Sequence, residues 1–415
     1  MTLGVMGGVP AAHRDTVALL VSRDDVITPA DEIAGEPGLR HLARALAGGP
    51  ASEFHVLSTR HLVFEDSGPQ PQSSVAAGPG WDAMLKSACA GAGREGLVWV
   101  IRGSAPLLPS GVADTLRARG ASGAGAWAGC SQSDPLAIVC PSDRIAQCAE
   151  KIRALDPQDA DCLARVLDVL AASGLELARV GDARSNPEFT ALTSFVTLAR
   201  VEKLLLRRRT REAMDAGLRM DDPRRTELWG TLVFGTGCRV GSNVAFKGDV
   251  RLGNNVTVAS NVILRDCVIG DDTHVREFSV VEQASVGRAC RIGPFARVRP
   301  DSELGDRVQI GNFVEVKSCQ LADGVLINHL SFVGDATVGR GVILGAGTIT
   351  CNFDGRARNR TIIDEEAFVG SGAELVAPVH IGSGAKIGAG STITEDVPAG
   401  RLSIARARQV LIQKR

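Results

Sequence analysis

From about residue 228 to residue 397 an aliphatic residue followed by glycine recurs along the chain. It occurs at Val240-Gly241, Leu252-Gly253, Ile269-Gly270, Val286-Gly287, Ile292-Gly293, Leu304-Gly305, Ile310-Gly311, Val338-Gly339, Leu344-Gly345, Val369-Gly370, Ile381-Gly382 and Ile387-Gly388. Many of the separations are six or twelve residues, as from 286 to 292 to 304 to 310. A period of six is the signature of a parallel β-helix. Each unit supplies one short strand and one turn. The aliphatic side chain points into a narrow interior, and the glycine lets the chain round a corner. Three units close one coil, so hydrogen bonds run between coils rather than along the sequence. Two stretches, Ser318–Leu330 and Thr350–Ile362, do not fit six-residue units and are expected to be excursions, where a repetitive scaffold can place chemistry.

Such an interior has room for Val, Ile, Leu and Ala but little for large rings. The composition agrees: 47 glycines, 4% aromatic residues and no tyrosine in 415 residues. A hydrophobic fraction of 44% is ample for folded cores and excludes wholesale disorder. The net charge of -1 offers no global field to attract nucleic acid or an anionic membrane, and neither is expected as a partner.

Residues 1–185 have a different texture. Thr16–Val21, Glu53–Ser58, Leu97–Ile101 and Leu136–Cys140 read as strands. They alternate with helical patterns at Gly38–Ala47, Trp81–Ala90, Ser110–Arg119, Arg144–Leu155 and Ala160–Ala172. This alternation predicts an α/β, Rossmann-like layer with a largely parallel sheet. Residues 188–217 carry apolar residues at helical spacing, stopped by Gly217 and Pro223. The arginines at 207–209 and 211 read as a solvated helix face in preference to a nucleic-acid patch. The ten cysteines are scattered singly and form no C-x-x-C, which argues against a zinc or disulfide framework. No signal-like segment opens the chain, and no apolar run approaches the ~18 residues of a membrane span. The expectation is a reduced, cytoplasmic protein of two domains. Its limits are set at residues 1–187 for the α/β domain, 188–222 for a helical arm, 223–400 for the β-helix and 401–415 for a tail.

Four strings stand out in the repeat region: IGPFARVRP (Ile292–Pro300), GNFVEVKS (Gly311–Ser318), NHLSFVGDA (Asn328–Ala336) and LGAGTITCNFDG (Leu344–Gly355). With the arm VTLARVEKLLL and the Asp222-Pro223 turn, they resemble the bacterial bifunctional N-acetylglucosamine-1-phosphate uridylyltransferase/glucosamine-1-phosphate acetyltransferase family. The likeness is nearly gap-free from about Leu198 to Arg406. It implies a left-handed β-helix, a homotrimer with sites between subunits, and acetyl-CoA as co-substrate for N-acetylation of an amino-sugar phosphate. By position, His329 is the general base. A sugar ammonium must lose a proton before attacking a thioester, and an imidazole titrates in a suitable range. Arg299 and Lys317 match the family's cationic substrate ligands, apt for a phosphate anion. Lys317 is one of only seven lysines. Arg358 stands where the family has a loop lysine. Ala346, Asn352, Ser371, Ala389 and Arg406 match acetyl-CoA-binding positions, with the Ala346 N–H as oxyanion donor. Three residues depart from the pattern: Phe332 and Phe353 replace tyrosines, and Ile343 replaces an asparagine. No metal is expected for acyl transfer.

In this family the N-terminal half transfers a uridylyl group, with Mg²⁺ and a Gly-rich loop followed by a lysine. Here IAGEP (Ile33–Pro37) remains, but the Gly-rich loop is absent and no lysine precedes Lys86. The uracil loop survives only as GPGWDA (Gly78–Ala83). Ser104, in GSAPLL, takes the place of the metal-binding aspartate, and Thr193-Ser194 replaces an asparagine pair. A serine hydroxyl is a poor substitute for a hard carboxylate on Mg²⁺. The expectation is a degenerate nucleotidyltransferase-like domain, with Mg²⁺ required only if that half is active. Two other readings stay open: a fully bifunctional enzyme, and a non-catalytic β-helix scaffold.

Overall fold

A computed structural model describes residues 15–21, 32–33, 36–37, 51–58, 89, 92, 96–102, 110–129, 135–155, 161–182 and 194–411. The positions at Gly78–Ala83, Lys86, Ser104 and Thr193, the middle of the Ile33–Pro37 string, and most of the helices expected at Gly38–Ala47 and Trp81–Ala90 lie outside the described residues. The chain divides into two compact units, Met1–Leu205 and Leu206–Arg415.

The first unit holds a six-stranded sheet. In spatial order its strands are Ala51–Ser58, Asp15–Val21, Leu97–Arg102, Pro135–Pro141, Gly125–Gly129 and Leu177–Asp182. Helices Ser142–Arg153 and Cys162–Ala172 pack by apolar stripes: Ile145, Cys148 and Ile152 are buried on one, Leu163, Val166 and Leu170 on the other. The α/β class is as expected, but the sheet is mixed. Pro135–Pro141 runs antiparallel to both of its neighbours, Leu97–Arg102 and Gly125–Gly129. The connection between Gly125–Gly129 and Pro135–Pro141 is too short for a helical crossover, so the strand must fold back. Gly125–Gly129 and Leu177–Asp182 escaped the sequence reading, because GAWAG and LARVGD lack β-branched runs.

A 21-residue helix, Phe195–Asp215, follows. Its start is closed reciprocally: the Thr197 N–H donates to Ser194 Oγ at 3.2 Å, and the Ser194 N–H donates to Thr197 Oγ1 at 3.0 Å. Its end is closed by Gly217, at φ +102°, with the Leu218 N–H bonded to the Ala213 carbonyl at 2.9 Å.

Beyond it the chain winds as a three-sided parallel β-helix. On the first face lie strands such as Arg291–Ile292, Gln309–Asn312, Leu326–His329, Ile343–Leu344, Phe368–Val369 and Lys386–Ile387. The second carries Arg297–Val298, Glu315–Lys317, Phe332–Gly334 and Ile349–Cys351; the third carries Ser302–Leu304, Gln320–Leu321, Ala336–Val338 and Thr361–Ile363. Each strand pairs in parallel with its equivalent one coil on, so side chains 17 or 18 residues apart, or 25 where the hairpin intervenes, become neighbours. Every aliphatic residue of the twelve aliphatic-glycine pairs is buried. The shared interior is built of Val, Ile, Leu, Ala and Cys with Met220, and among the described residues it admits a single buried phenylalanine, Phe246.

Ser318–Leu330 is not an excursion. Gln320–Leu321 and Leu326–His329 pair in register with the coils on both sides. Cys319, Leu321, Val325 and Ile327 fill the interior there without a following glycine, which hid the repeat. The second irregular stretch does leave the coil. Phe353 and Arg358 form an antiparallel bridge at the base of a small exposed hairpin.

Candidate functional site

The corner joining the first and second faces demands a left-handed residue in every coil. Along it stand Asn243, Asn261, Phe278, Phe295, Phe313, Leu330, Gly347, Gly372 and Gly390, with φ from 49° to 73°. The three phenylalanine rings stack, with centroids 4.8 and 5.2 Å apart. The ridge continues through Leu330 and then stops, because the next three coils place glycine at the corner. A Cβ added at Gly390 would meet nothing within 4 Å. The corner therefore changes from a ridge of side chains to an open groove.

One position before this corner, the register aligns Asn312, His329, Ala346, Ser371 and Ala389 in a single row along the axis. At ~4.8 Å per coil, His329 and Ala346 are adjacent. The row beyond them has only small side chains. Arg406 closes it, donating from Nη1 to the Ala389 carbonyl at 2.5 Å. Five of the residues singled out in the sequence are thus brought onto one corner.

His329 is exposed but held firmly. Its Nδ1 lies 2.8 Å from Asn312 Oδ1. Its carbonyl accepts from Ser331 Oγ at 2.8 Å and from the Gly347 N–H at 3.2 Å. The N–H of Leu330, the next residue, donates to the Asn312 carbonyl at 3.0 Å. One coil up, the Ala346 N–H has no hydrogen-bond partner among the described residues.

Around the corner, the second face presents two outward columns. Nearer the corner are Arg297, Glu315, Phe332 and Ile349; farther from it are Arg299, Lys317, Gly334 and Cys351. Arg299 and Lys317 are neighbours by register, a pair of cations on one sheet surface. Arg299 Nη1 meets Glu315 Oε1 at 2.6 Å. Lys317 makes no ion pair among the described residues. Gly334, buried beside Lys317, leaves room for the Phe332 ring and the Asn352 amide, which would lie 2.7 and 2.9 Å from an added Cβ.

Asn352 joins the second-face group, its amide beside Phe332 over Gly334 and its Nδ2 donating to Asp335 Oδ2 at 2.5 Å. The remaining residues are not brought to this group within one chain. Phe353 and Arg358 face solvent on the hairpin. There Asp354 Oδ1 accepts the N–H groups of Arg356 and Ala357 at 2.8 and 2.7 Å, and Oδ2 accepts from Asn359 Nδ2 at 3.0 Å. These bonds hold the Asp354 carboxyl below its ordinary range. Ile343 points outward from the first face, between Leu326 and Phe368. Cys351 is half-buried, and desolvation is the main cause that pushes its thiol up.

Asn312, Glu315 and Ser331 were missed in the sequence. Asn312 lies 17 residues before His329, and only reading at the coil period makes them partners. Among the described residues no group of three His, Cys, Asp or Glu side chains is placed to hold a metal ion, and no helix is long and apolar enough to cross a membrane.

Comparison with known proteins places these residues in context. Residues 228–322 match the GMPPB C-terminal domain, and residues 360–395 match the bacterial transferase hexapeptide model of six repeats. The chain is 44% identical over 250 residues to the bifunctional protein GlmU of Methylibium petroleiphilum, covering 60% of this chain and 54% of that protein. It is 40% identical over 275 residues to that of Ralstonia nicotianae, covering 66% and 60%. It is 49% identical over 214 residues to that of Acidithiobacillus ferrooxidans, covering 52% and 47%. The chain thus spans roughly half to three fifths of the length of these relatives. A solved Arabidopsis UDP-N-acetylglucosamine acyltransferase aligns at 19% identity with a TM-score of 0.39, over 43% of this chain and 69% of that one.

Proposed function

We propose that this protein N-acetylates glucosamine 1-phosphate with acetyl-CoA, making N-acetylglucosamine 1-phosphate for UDP-N-acetylglucosamine synthesis. The observation that carries the reading is the row His329–Ala346–Ser371–Ala389 beside the glycine corner, ended by Arg406. From His329 to Ala389, whose carbonyl holds the Arg406 guanidinium, is three coils, or ~14 Å. An extended thioester carrier fits such a groove, with its acyl end at the histidine and an anionic end at the arginine.

The chemistry then divides among named residues. His329 Nε2 takes the proton from the sugar amine as its nitrogen attacks the thioester carbonyl carbon. A C–N bond forms, the C–S bond breaks, and the departing thiolate takes up a proton. The Ala346 N–H faces the carbonyl oxygen as charge develops on it. Arg299 and Lys317 hold the phosphate on the adjoining face, next to Phe332. Ser371, Ala389 and Arg406 line the carrier's path.

Phe353, Arg358 and Ile343 stand apart from this group in one chain. This separation supports a homotrimer in which a second copy brings them to the site. The N-terminal half is proposed to lack uridylyl transfer, on the strength of Ser104 and the missing Gly-rich loop. A cytoplasmic location accords with substrates of this kind.

A paired assay tests the reading. Protein is given glucosamine 1-phosphate and acetyl-CoA while free thiol is followed. In parallel it is given UTP, Mg²⁺ and N-acetylglucosamine 1-phosphate while pyrophosphate is followed. Thiol release abolished by His329→Ala is the expected result. Silence in the first assay overturns the acetyltransferase reading, and pyrophosphate release in the second overturns the loss of uridylyl transfer.

A further inference from the structure

We infer that Asn312 is the positioning residue for His329, and that an amide rather than a carboxylate serves there because it selects a tautomer without adding charge. The inference rests on His329 being the general base. A base must present a lone pair to its substrate. With Asn312 Oδ1 2.8 Å from Nδ1, the ring hydrogen lies on Nδ1 and the lone pair on Nε2. The same asparagine fixes the backbone beside the ring, since its carbonyl accepts the Leu330 N–H at 3.0 Å. Ser331 Oγ and the Gly347 N–H hold the His329 carbonyl from the other side. The ring is therefore aimed from its own coil and from the coils before and after it.

The charged groups of the adjoining second face, Glu315 paired with Arg299 and next to them Lys317, stand round the corner from the ring. The strands packed against Leu326–His329 are Gln309–Asn312 and Ile343–Leu344, with sequences QIGN and IL. Neither carries an ionisable group. The residues rounding the corner, Phe313, Leu330, Ser331 and Gly347, carry none either. A carboxylate at position 312 would favour the protonated ring and withhold the lone pair. The same β-helix shows that alternative at His380, whose Nε2 meets Asp364 Oδ2 at 2.7 Å on the third face, away from the row. Two surface imidazoles have been given different partners, and the one beside the groove has the neutral partner.

The test compares Asn312→Asp, Asn312→Ala and His329→Ala in the full chain, with folding of each checked by thermal melting. Asn312→Asp keeps an acceptor oxygen in place. Its expected signature is a near-normal plateau rate with the acid limb of the kcat/KM profile moved up by about one pH unit or more. Asn312→Ala is expected to lose about tenfold or more in kcat with little change in KM, because the ring is no longer aimed. A wild-type profile in Asn312→Asp together with a wild-type kcat in Asn312→Ala overturns the inference. Activity surviving in His329→Ala overturns instead the assignment of the base. A measurement that needs no substrate keeps the two apart: ¹⁵N NMR of the imidazoles. The His329 resonances should report hydrogen on Nδ1 in the wild type and a shift toward Nε2 in Asn312→Ala. An unchanged tautomer overturns the role of Asn312 whatever the enzyme's activity.

Discussion

Arg299 is braced by Glu315 from the next coil, Nη1 to Oε1 at 2.6 Å, with about a third of each side chain exposed. The carboxylate engages one guanidinium nitrogen of Arg299, which shares its column on the second face with Lys317. A charge-assisted hydrogen bond contributes ~1.5–3 kcal/mol. Arg299→Ala is therefore expected to raise KM for the sugar phosphate about tenfold or more, with kcat changed by no more than about threefold. An exposed ion pair contributes only ~0–1 kcal/mol. Glu315→Ala should raise KM by less than Arg299→Ala does, as initial-rate kinetics on the two variants will show. A larger effect from Glu315→Ala would assign the carboxylate a role of its own.

The groove beside Gly347, Gly372 and Gly390 can be closed from outside. Ala389 is exposed, so Ala389→Trp adds bulk without entering the core. The expected outcome is KM for acetyl-CoA raised about tenfold or more while KM for the sugar phosphate and the melting temperature stay close to wild type. Unchanged KM for acetyl-CoA would remove the carrier from this row.

Phe332 and Gly334 form a fitted pair. A methyl at Gly334 would lie 2.7 Å from Phe332 Cζ and 2.9 Å from Asn352 Nδ2, so both side chains must shift to admit it. Overpacking of this kind costs ~1–3 kcal/mol. Gly334→Ala should lower the melting temperature by a few degrees and weaken sugar-phosphate binding. Phe332→Tyr adds a hydroxyl at the ring atom that faces this polar corner. One hydrogen bond contributes ~0.5–1.5 kcal/mol, so KM should fall by about two- to tenfold. Phe353→Tyr, out on the hairpin, tests the second tyrosine position in the same way, and no change in either marks the substitutions as neutral.

The hairpin around Asp354 should depend on pH in one direction. Its carboxyl is held below the ordinary value of 3.8 by the Ala357 and Arg356 N–H groups first, and then by Asn359. A depressed carboxyl contributes its stabilisation in full above the unfolded-state value and loses it as pH falls through the folded one. Amide exchange at Arg356 and Ala357 should thus be protected at neutral pH relative to Asp354→Ala. The two proteins should converge only in strong acid; equal exchange at neutral pH would deny the carboxylate any part in ordering the loop.

Much of this architecture can be read without coordinates, because the interior is one-dimensional. Val240, Ile292, Ile310, Leu344, Val369 and Ile387 announce themselves by the glycine that follows each, and all are buried. The repeat was hidden at Ser318–Leu330, where Cys319 and Val325 do the same filling without the glycine. The site was only half legible. His329, Ala346, Ser371 and Ala389 were found one by one through resemblance, but their alignment depends on coil length, and coil length depends on where the hairpin is inserted. Asn312 and Glu315 stayed hidden because their partners lie one coil away, and linear spacing carries no sign of a lateral contact. In the α/β unit the antiparallel Pro135–Pro141 was misjudged for a related reason: strand direction is set by connections, and apolar runs do not encode it.

The row from His329 to Arg406 has a consequence for how such a protein can change. Distance along it comes only in whole coils, so the groove works as a ruler graduated in steps of ~4.8 Å. Losing a single residue inside a coil would swing every later position off its face and scatter the row around the prism. Losing or gaining one complete coil would keep the alignment and merely shorten or lengthen the span between His329 and Arg406. Insertions at a corner, such as the Phe353–Arg358 hairpin, leave the count untouched. The scaffold is thus open to revision in the length of this row and at its corners, and almost nowhere in between.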